Sequence, residues 1–398
     1  MAFSFGFGGD SGAAAAGSPF GAEPSPFGGG AAAATSQSGS GPATSPDHAE
    51  AECAPAPVES ATLPEGQWRA DAAAAPPAGW ARSFCAVELP PWCPSATGAP
   101  LGAAVTDLAS RGVPVLYAPD ASAGGDLPPG WAVSKGQYEG GLVQWECAGD
   151  AAAVIVGAAV AGSALSGPGG ADEAGPKGLF AAGTAGAALG RAMATSRLTI
   201  VEVGCGTALP TAAALRLRAL APGSADQCTR AVLQDLNAPA LSLKAGPSVA
   251  HAAELPQAGA AAAPAAPKEV RLLSGSWGAA MDDALADAAV AGCRDGGALV
   301  VVASETVYRA EAVAAHTASL LGLLERGRAA GMGPCVCVVA AKRFYFGSGL
   351  GGGTRAFAEA AEAWTPAGGG SRPVLWRALS VDDGKSNVRD VWVVSLSD

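Results

Sequence analysis

The sequence predicts an α/β fold in which a parallel β-sheet ends in a C-terminal antiparallel hairpin. Five apolar runs of strand length alternate with helix-like stretches, which is typical of βαβ units. The runs are continuous rather than alternating, as expected of strands covered on both faces. They lie at residues 198–203, 230–236, 270–275, 298–304 and 335–341.

Two further strands are predicted after these five, at 373–381 and 390–397. Only a short loop separates them, and a loop of that length joins antiparallel strands but cannot make a parallel crossover. Helices are predicted between the strands, at 211–220, 281–292, 310–328 and 355–363. The layout is therefore seven strands, with the antiparallel pair last.

Composition predicts one folded domain, at 137–398. Residues 1–79 are rich in Ala, Gly, Pro and Ser and are expected to form a disordered tail. Residues 80–136 are expected to be a weakly ordered lead-in. Two Ala/Gly-rich stretches, at about 158–196 and 245–267, are predicted to be insertions in surface loops, since added loop length costs little closure entropy.

Charge and cysteine usage narrow the choice of partners. The net charge of −11 argues against direct nucleic-acid binding and is compatible with a basic protein partner. The nine cysteines show no paired C-x-x-C spacing, which disfavours a zinc site and suits reduced thiols in the cytosol or nucleus. We expect no metal, no secretory signal and no membrane span.

A glycine turn follows the first predicted strand. The segment runs from Glu202 through Gly204 and Gly206 to Thr207, and a helix opens just after it. Glycine lets the backbone approach a ligand closely, and a helix N-terminus offers free N–H groups. Ala208 replaces the third glycine of the usual G-x-G-x-G pattern, so an ordinary strand-to-helix turn remains an alternative.

The ends of the next two strands carry further candidates. Asp235 stands at a strand tip, where a carboxylate can accept hydrogen bonds from ribose hydroxyls, or can simply cap the next turn. Gly275, Ser276 and Trp277 follow the third strand. The indole there is placed to lie against an adenine ring, or to belong to the core.

The fourth strand ends in an E-x-x-Y motif formed by Glu305 and Tyr308. Open α/β sheets bind substrates at this edge, so the pair is a candidate site, with helix capping by Glu305 as the alternative. Upstream, Trp145 and Glu146 would close over a cationic ligand, since an aromatic face and a carboxylate both favour a sulfonium, or would begin an ordinary helix.

These motifs, in their order, resemble the eukaryotic protein-histidine N-methyltransferases of the methyltransferase-like group. The resemblance covers about 137–398 and rests on YEGGLVQWEC, VEVGCGTALP, VLQDLN, GSW, SETVY and AAKRFYFGSGLGGG. It implies a Rossmann-like seven-strand fold dependent on S-adenosylmethionine, and methyl transfer to a histidine of a basic large-subunit ribosomal protein, the L-three protein. We expect a monomer located in the cytoplasm and nucleus, the nucleolus included.

Methyl transfer to a histidine needs an acceptor that holds the N–H of the other ring nitrogen. Glu305 is the first candidate for that acceptor, and Asn237 and Tyr308 are the next. The resemblance itself implies which residues contact the cofactor. The implied cofactor contacts are Gln144, Trp145, Glu146, Cys147, Ala148, Gly204, Gly206, Asp235, Leu236, Asn237, Gly275, Ser276, Trp277 and Ser304.

Two other functions stay open at this point. One is a lysine methyltransferase of the related seven-strand group, in which the corresponding motif usually begins with Asp. The other is a binding module that keeps the fold without catalysis. His48, His251 and His316 receive no role, and for His316 a satisfied structural histidine is the favoured interpretation.

Overall fold

The computed structural model describes most of the region from residue 144 onward and shorter segments before it. The Y-E-G-G motif at 138–141 and most of the predicted tail lie outside the described residues. The described residues are 58–63, 81–85, 87–93, 105–106, 108, 112–117, 144–165, 180–220, 228–254, 269–291, 297–347, 351–366, 369–382, 384 and 388–397.

Strands and helices alternate along the described chain as the sequence predicts. The strands are β1 (Glu59–Leu63), β2 (Ala81–Cys85), β3 (Val113–Tyr117), β4 (Arg197–Val203), β5 (Cys228–Asp235), β6 (Glu269–Ser274), β7 (Ala298–Ser304), β8 (Cys335–Lys342), β9 (Pro373–Val381) and β10 (Arg389–Leu396). The helices are α1 (Glu146–Leu165), α2 (Ala185–Ala194), α3 (Leu209–Leu220), α4 (Gly246–Glu254), α5 (Ala279–Val290), α6 (Ala310–Ala329) and α7 (Thr354–Ala363). A short turn at Ala238–Ala240 and a π-helical segment at Leu241–Ala245 lead into α4.

Eight strands form one sheet in the order β1-β6-β5-β4-β7-β8-β10-β9. Strands β4 to β8 are mutually parallel, whereas β10 runs antiparallel to both β8 and β9. The predicted α/β class, the five parallel strands and the C-terminal antiparallel pair are therefore confirmed, and the architecture is compatible with a Rossmann-like fold.

Both faces of the sheet are covered, which explains why β7 is buried at every position and why the other central strands are mostly apolar. In β4, Leu198 and Ile200 pack into a core with α1, α2 and α3. Val201 and Val203 pack into a second core with α5, α6 and α7. Alternate side chains of a strand point to opposite faces, so one strand serves both cores.

The edge of the sheet differs from the prediction. Residues 59–63 lie in the predicted disordered tail, yet they form β1 and pair antiparallel with β6, with Glu59 opposite Ser274 and Leu63 opposite Val270. The physical reason is that an edge strand offers a row of unpaired backbone groups to any extended segment, whatever its composition.

The lead-in at 80–136 is also more ordered than predicted. Strands β2 and β3 pair antiparallel in a separate two-stranded sheet. Val87, Leu108 and Val113 are buried in the core that contains α1 to α3. These large side chains contribute to the main core although the lead-in as a whole is rich in Ala, Gly and Pro.

The prediction of surface-loop insertions is wrong for the described parts of both stretches. Residues 158–165 complete α1, 185–194 form α2, and 246–254 form α4. Gly162 and Gly190 show the cause, since a Cβ on Gly162 would lie 2.5 Å from the carbonyl oxygen of Gly190. Small residues here let two buried helices touch backbone to backbone, which composition alone does not distinguish from a flexible loop.

The order in which successive strands join the sheet reverses between β4 and β7. The chain proceeds outward from β4 through β5 to β6, then returns to β7 on the other side of β4 and continues to β8. Ligands of open α/β sheets bind at the carboxyl ends of the strands at such a switch point. A ligand site is therefore expected at the turns that follow β4 and β7.

The close contact between α1 and α2 gives a first prediction. Gly162→Ala should lower the free energy of unfolding by about 1–3 kcal/mol, because the new methyl group overlaps the backbone at Gly190. Gly149→Ala in the same helix has open space around the new Cβ and should instead stabilise by ~0.5–1 kcal/mol. Urea denaturation of both variants measures this, and equal effects at the two sites would contradict the contact.

Candidate functional site

A cavity of about 420 Å³ opens at the carboxyl ends of β4 and β7. Its volume lies in the range of small-molecule and cofactor sites. The sheet, α1, α6 and the loop after β8 all contribute to its walls. The lining residues are Gln144, Trp145, Ala148, Gly204, Cys205, Gly206, Thr207, Asp235, Leu236, Gly275, Ser276, Trp277, Gly278, Ser304, Glu305, Thr306, Tyr308, Arg309, Ala312, Ala315, His316, Ser319 and Tyr345.

Most of the residues singled out from the sequence meet at this cavity, but three of them do not line it. Glu146 is directed to an ion pair with Arg389, and Cys147 is buried beneath the cavity wall. Asn237 precedes the turn after β5, where its backbone N–H donates to Asp235. The structure therefore gives these three residues supporting positions rather than places on the cavity surface.

The turn after β4 is left-handed at three positions. Gly204 has φ +62°, Gly206 φ +50° and Ala208 φ +55°. A Cβ on Gly204 would lie only 2.8 Å from Cγ2 of Thr306. Ala208 thus keeps the backbone conformation of the missing third glycine, and the turn remains closely packed against the loop that follows β7.

Asp235 both lines the cavity and organises the adjacent backbone. Its Oδ2 accepts the N–H of Gly206 at 3.0 Å, and its Oδ1 accepts the N–H of Asn237 at 3.1 Å. The two roles considered from the sequence, ligand contact and turn capping, are therefore geometrically compatible. A carboxylate has about four acceptor sites, so these two bonds do not exhaust its capacity.

Gln234 lies within the VLQDLN segment but was not singled out from the sequence, although its side chain connects the turns after β4 and β6. Its Oε1 accepts the N–H of Gly204 at 3.0 Å and the indole N–H of Trp277 at 2.9 Å. Its Nε2 donates to the carbonyl of Gly275 at 2.9 Å. The signal that could have identified it is an amide within an apolar, buried strand, because such a group needs partners.

His316 forms the support beneath Trp277. The two rings stack with centroids 4.1 Å apart, and Nε2 of His316 lies 3.0 Å from the hydroxyl of Thr306. Burial lowers the pKa of His316 to about 4, so the imidazole is neutral at physiological pH. The packing agrees with a structural role for His316, but the histidine is not fully satisfied as expected, since its buried Nδ1 has no hydrogen-bond partner among the described residues. The sequence also did not place it at the cavity.

Glu305 occupies an unusual backbone conformation at the cavity wall. It has φ +57°, which is uncommon for a residue other than glycine and is often found at functional sites. Helix α6 begins at Ala310 with Arg309 as its N-cap, so Glu305 does not cap it. Burial raises the pKa of Glu305 to about 7, while nearby Cys147 and Lys342 oppose that rise.

Helix α1 is held over the cavity by contacts from both sides. Arg389 on β10 pairs with Asp150 at 2.7 Å and with Glu146 at 3.2 Å. The hydroxyl of Thr207 donates to the side-chain oxygen of Gln144. The sequence did not indicate Arg389, because its partners lie more than two hundred residues away and no local pattern joins them.

Comparison with known proteins found no match to this sequence among protein-family models or among curated proteins. In the part of the chain that the structure describes, His, Cys, Asp and Glu side chains form no group of three or more arranged to hold a metal ion. The helices described above include none with the length and apolar character of a membrane span.

The buried carboxyl of Glu202 gives a second prediction. Its Oε2 accepts the N–H and the hydroxyl of Thr211, yet burial raises its pKa from 4.5 to about 8. The folded state therefore holds a proton that the unfolded chain has lost, and stability falls as pH rises through the window between these values. Glu202→Gln keeps an acceptor for Thr211 and is neutral at every pH.

The stability of Glu202→Gln relative to the wild type should thus rise with pH. We expect the difference in free energy of unfolding to grow by up to ~1.4 kcal/mol per pH unit between pH 5 and 8. Glu362→Gln, at an exposed position on α7, controls for the loss of one charge. Denaturant titrations at several pH values measure the difference, and a constant offset would show that Glu202 is not buried as a neutral acid.

Proposed function

We propose that this protein is an S-adenosylmethionine-dependent protein-histidine N-methyltransferase with a seven-strand Rossmann-like fold. The observation that carries the proposal is the meeting of separate sequence motifs in one cavity. The glycine turn after β4, Asp235 after β5, Trp277 after β6 and Glu305 after β7 all line it. Each motif lies at the strand end where this class of fold binds its ligands.

The cavity residues fit such a donor. The absence of a side chain at Gly204 lets the turn pack against Thr306 without intruding on the cavity wall, Asp235 is placed for ribose hydroxyls, and Trp277 lines the cavity with an aromatic ring. S-adenosylmethionine supplies an electrophilic methyl group on a sulfonium. Aromatic faces of Trp145 and Tyr308 and the carboxyl of Glu305 favour a cation at the cavity.

The role of the chain is to position the acceptor and exclude water. A histidine side chain with a pKa near 6.5 is largely neutral at pH 7, so one ring nitrogen already presents a lone pair. Bound S-adenosylmethionine would supply the methyl group to that nitrogen, and its thioether would be the leaving group. Glu305 would accept the N–H of the other ring nitrogen and so stabilise the positive charge of the methylated ring.

The ionisation of Glu305 does not distinguish a histidine acceptor from a lysine acceptor. A lysine ammonium has a pKa near 10.4 and must lose a proton before it can attack, whereas a neutral imidazole needs no base. Because burial raises the pKa of Glu305 to about 7, its carboxylate is a better proton acceptor than that of an ordinary glutamate. Lysine is therefore the alternative acceptor that the labelling experiment must separate from histidine.

The overall charge supports a basic protein as the substrate. At −11, the chain attracts a positively charged partner, and the large-subunit ribosomal protein L-three is the substrate that we propose. The proposal places the protein, as a monomer, in the cytoplasm and nucleus.

The test is a labelling experiment with the full chain. The protein is incubated with methyl-labelled S-adenosylmethionine and a ribosomal extract, and mass spectrometry identifies the modified residue. Label on a histidine supports the proposal, and label on a lysine establishes the alternative acceptor. Calorimetric binding of the donor without any transfer indicates a non-catalytic module, and the absence of both binding and transfer overturns the assignment.

A third prediction concerns the glycine turn. Gly204→Ala should weaken binding of S-adenosylmethionine by at least tenfold, about 1.4 kcal/mol, because the methyl group meets Thr306 and distorts the cavity wall. Gly183→Ala is the matched control, since Gly183 also has positive φ but nothing lies within 4 Å of its Cβ. Calorimetry compares the two, and unchanged affinity in Gly204→Ala would discard this placement of the cofactor.

A fourth prediction concerns the proposed acceptor of the imidazole N–H. Glu305→Gln should lower turnover by about 10²-fold, because an amide cannot stabilise the charge that develops on the ring. The affinity for the donor should change little. Glu311→Gln, on the exposed side of α6, is the control, and a Glu305→Gln variant that turns over like the wild type would remove Glu305 from the mechanism.

A further inference from the structure

The loop after β8 brings a fourth aromatic side chain, Tyr345, to the cavity wall. We propose that Tyr345 is a positioning residue that holds the carboxyl of Glu305, through its Oε2, in place for the N–H of the substrate. This inference rests on the proposed function and names a residue that acts through Glu305. It is carried by hydrogen bonds at both ends of the tyrosine.

The direction of the tyrosine hydroxyl follows from its partners. The backbone N–H of Lys342 donates to the phenolic oxygen of Tyr345 at 3.3 Å. The phenol has a single proton, and it donates that proton to Oε2 of Glu305. When Glu305 is protonated, its own proton therefore belongs on Oε1.

Oε1 is the oxygen that lacks a strong donor. It is buried, and within the described part of the chain it accepts no hydrogen bond from an N–H or O–H group, although the thiol of Cys147, a weak donor, interacts with the carboxyl group. A buried carboxylate oxygen without a strong donor is costly, so the ionised form of Glu305 depends on the hydrogen bond that Tyr345 donates to Oε2.

The position of Tyr345 is set by the glycine run that follows it. The N–H of Tyr345 donates to Gly352 at 3.1 Å, and the N–H of Gly352 donates to Tyr308 at 3.0 Å. A Cβ on Gly352 would lie 2.3 Å from the carbonyl oxygen of Val307, so the approach requires glycine. The run thus joins the tyrosine directly to the E-x-x-Y segment.

An ion pair between a partly exposed arginine and a buried aspartate anchors the start of the same loop. Arg343 donates through Nε and Nη2 to the two carboxylate oxygens of Asp390, both at 2.8 Å. Asp390 is itself almost fully buried and also accepts from Thr354 and Ser380. A bidentate pair of this kind restricts orientation as well as distance, so the loop is held on both sides of Tyr345.

The surroundings of Glu305 make its ionisation sensitive to the hydrogen bond from Tyr345. Burial raises the pKa of its carboxyl to about 7, so its protonation is balanced near physiological pH. The titratable groups that face it are Cys147 and Glu146 from α1, Lys342 from β8, Arg389 from β10 and Tyr345 from the loop. A donor to the carboxylate favours the ionised form, which is the form that accepts a substrate N–H.

The hydroxyl can be tested apart from the ring. Tyr345→Phe keeps the edge-to-face contact with Tyr308, whose ring centroid lies 6.3 Å away, and removes only the hydrogen bond. Replacing Tyr345 by 3-fluorotyrosine keeps the shape and makes the hydroxyl a stronger donor. The two changes should move the ionisation of Glu305 in opposite directions. Phe346→Leu, at an exposed position of the same loop, is the control.

The experiment is a carbon NMR titration of the full chain labelled at glutamate side-chain carboxyls. The resonance of Glu305 is identified by its loss in Glu305→Gln. We expect its titration midpoint to rise by about one pH unit in Tyr345→Phe, to fall with 3-fluorotyrosine, and to stay in place in Phe346→Leu. In a plot of turnover against pH, the acidic limb should move to higher pH in Tyr345→Phe.

The outcomes separate this inference from the proposed function, since the titration needs no substrate. A midpoint that does not move in either Tyr345 variant overturns the inference, even if the enzyme methylates histidine. Shifted midpoints in a protein that methylates nothing support the hold on Glu305 and overturn the proposed function alone.

Discussion

The buried amide of Gln234 is the interaction on which the arrangement of the site depends. One side chain accepts from the turn after β4 and from Trp277, and donates to the turn after β6. An amide can do this because it carries an acceptor with two lone pairs and two donors on one rigid plane. Three strand ends are thereby kept in register, and the cavity between them has a defined shape.

Burial sets the ionisation of the groups around this cavity. It raises the pKa values of Glu202 and Glu305 and lowers that of His316. All three changes have the same cause, which is that the neutral form of an acid or base is favoured away from water. Glu202 accepts hydrogen bonds from Thr211, and the ring of His316 stacks on Trp277. Glu305, at the cavity wall, has a pKa of about 7, so its protonated and ionised forms are both populated near physiological pH.

The sequence predicted the parts of the site that directly follow strand ends. Ligands of open α/β sheets bind at the carboxyl ends of the strands, and a strand end can be recognised from a few neighbouring residues. The glycine turn, Asp235, Trp277 and Glu305 can all be located by this rule, and all of them line the cavity. The rule does not cover His316 on α6 or Tyr345 after β8, which reach the cavity from a helix face and a distant loop. Tyr345 lies in a segment that carries the resemblance, but its contact with Glu305 is not visible in the sequence. Arg389 on β10 supports the site only through its ion pairs with α1.

What the sequence alone determined is the alternation of strands and helices and the class of the sheet, because apolar periodicity reports on burial within a few residues. Only the tertiary structure decided that β1 extends the sheet, and that the Ala/Gly-rich stretches contain buried helices. It alone placed the hydroxyl of Tyr345 on Glu305. Each of these depends on contacts between segments far apart in the chain. Composition does not show which distant segments make contact, because packing in the folded state decides it.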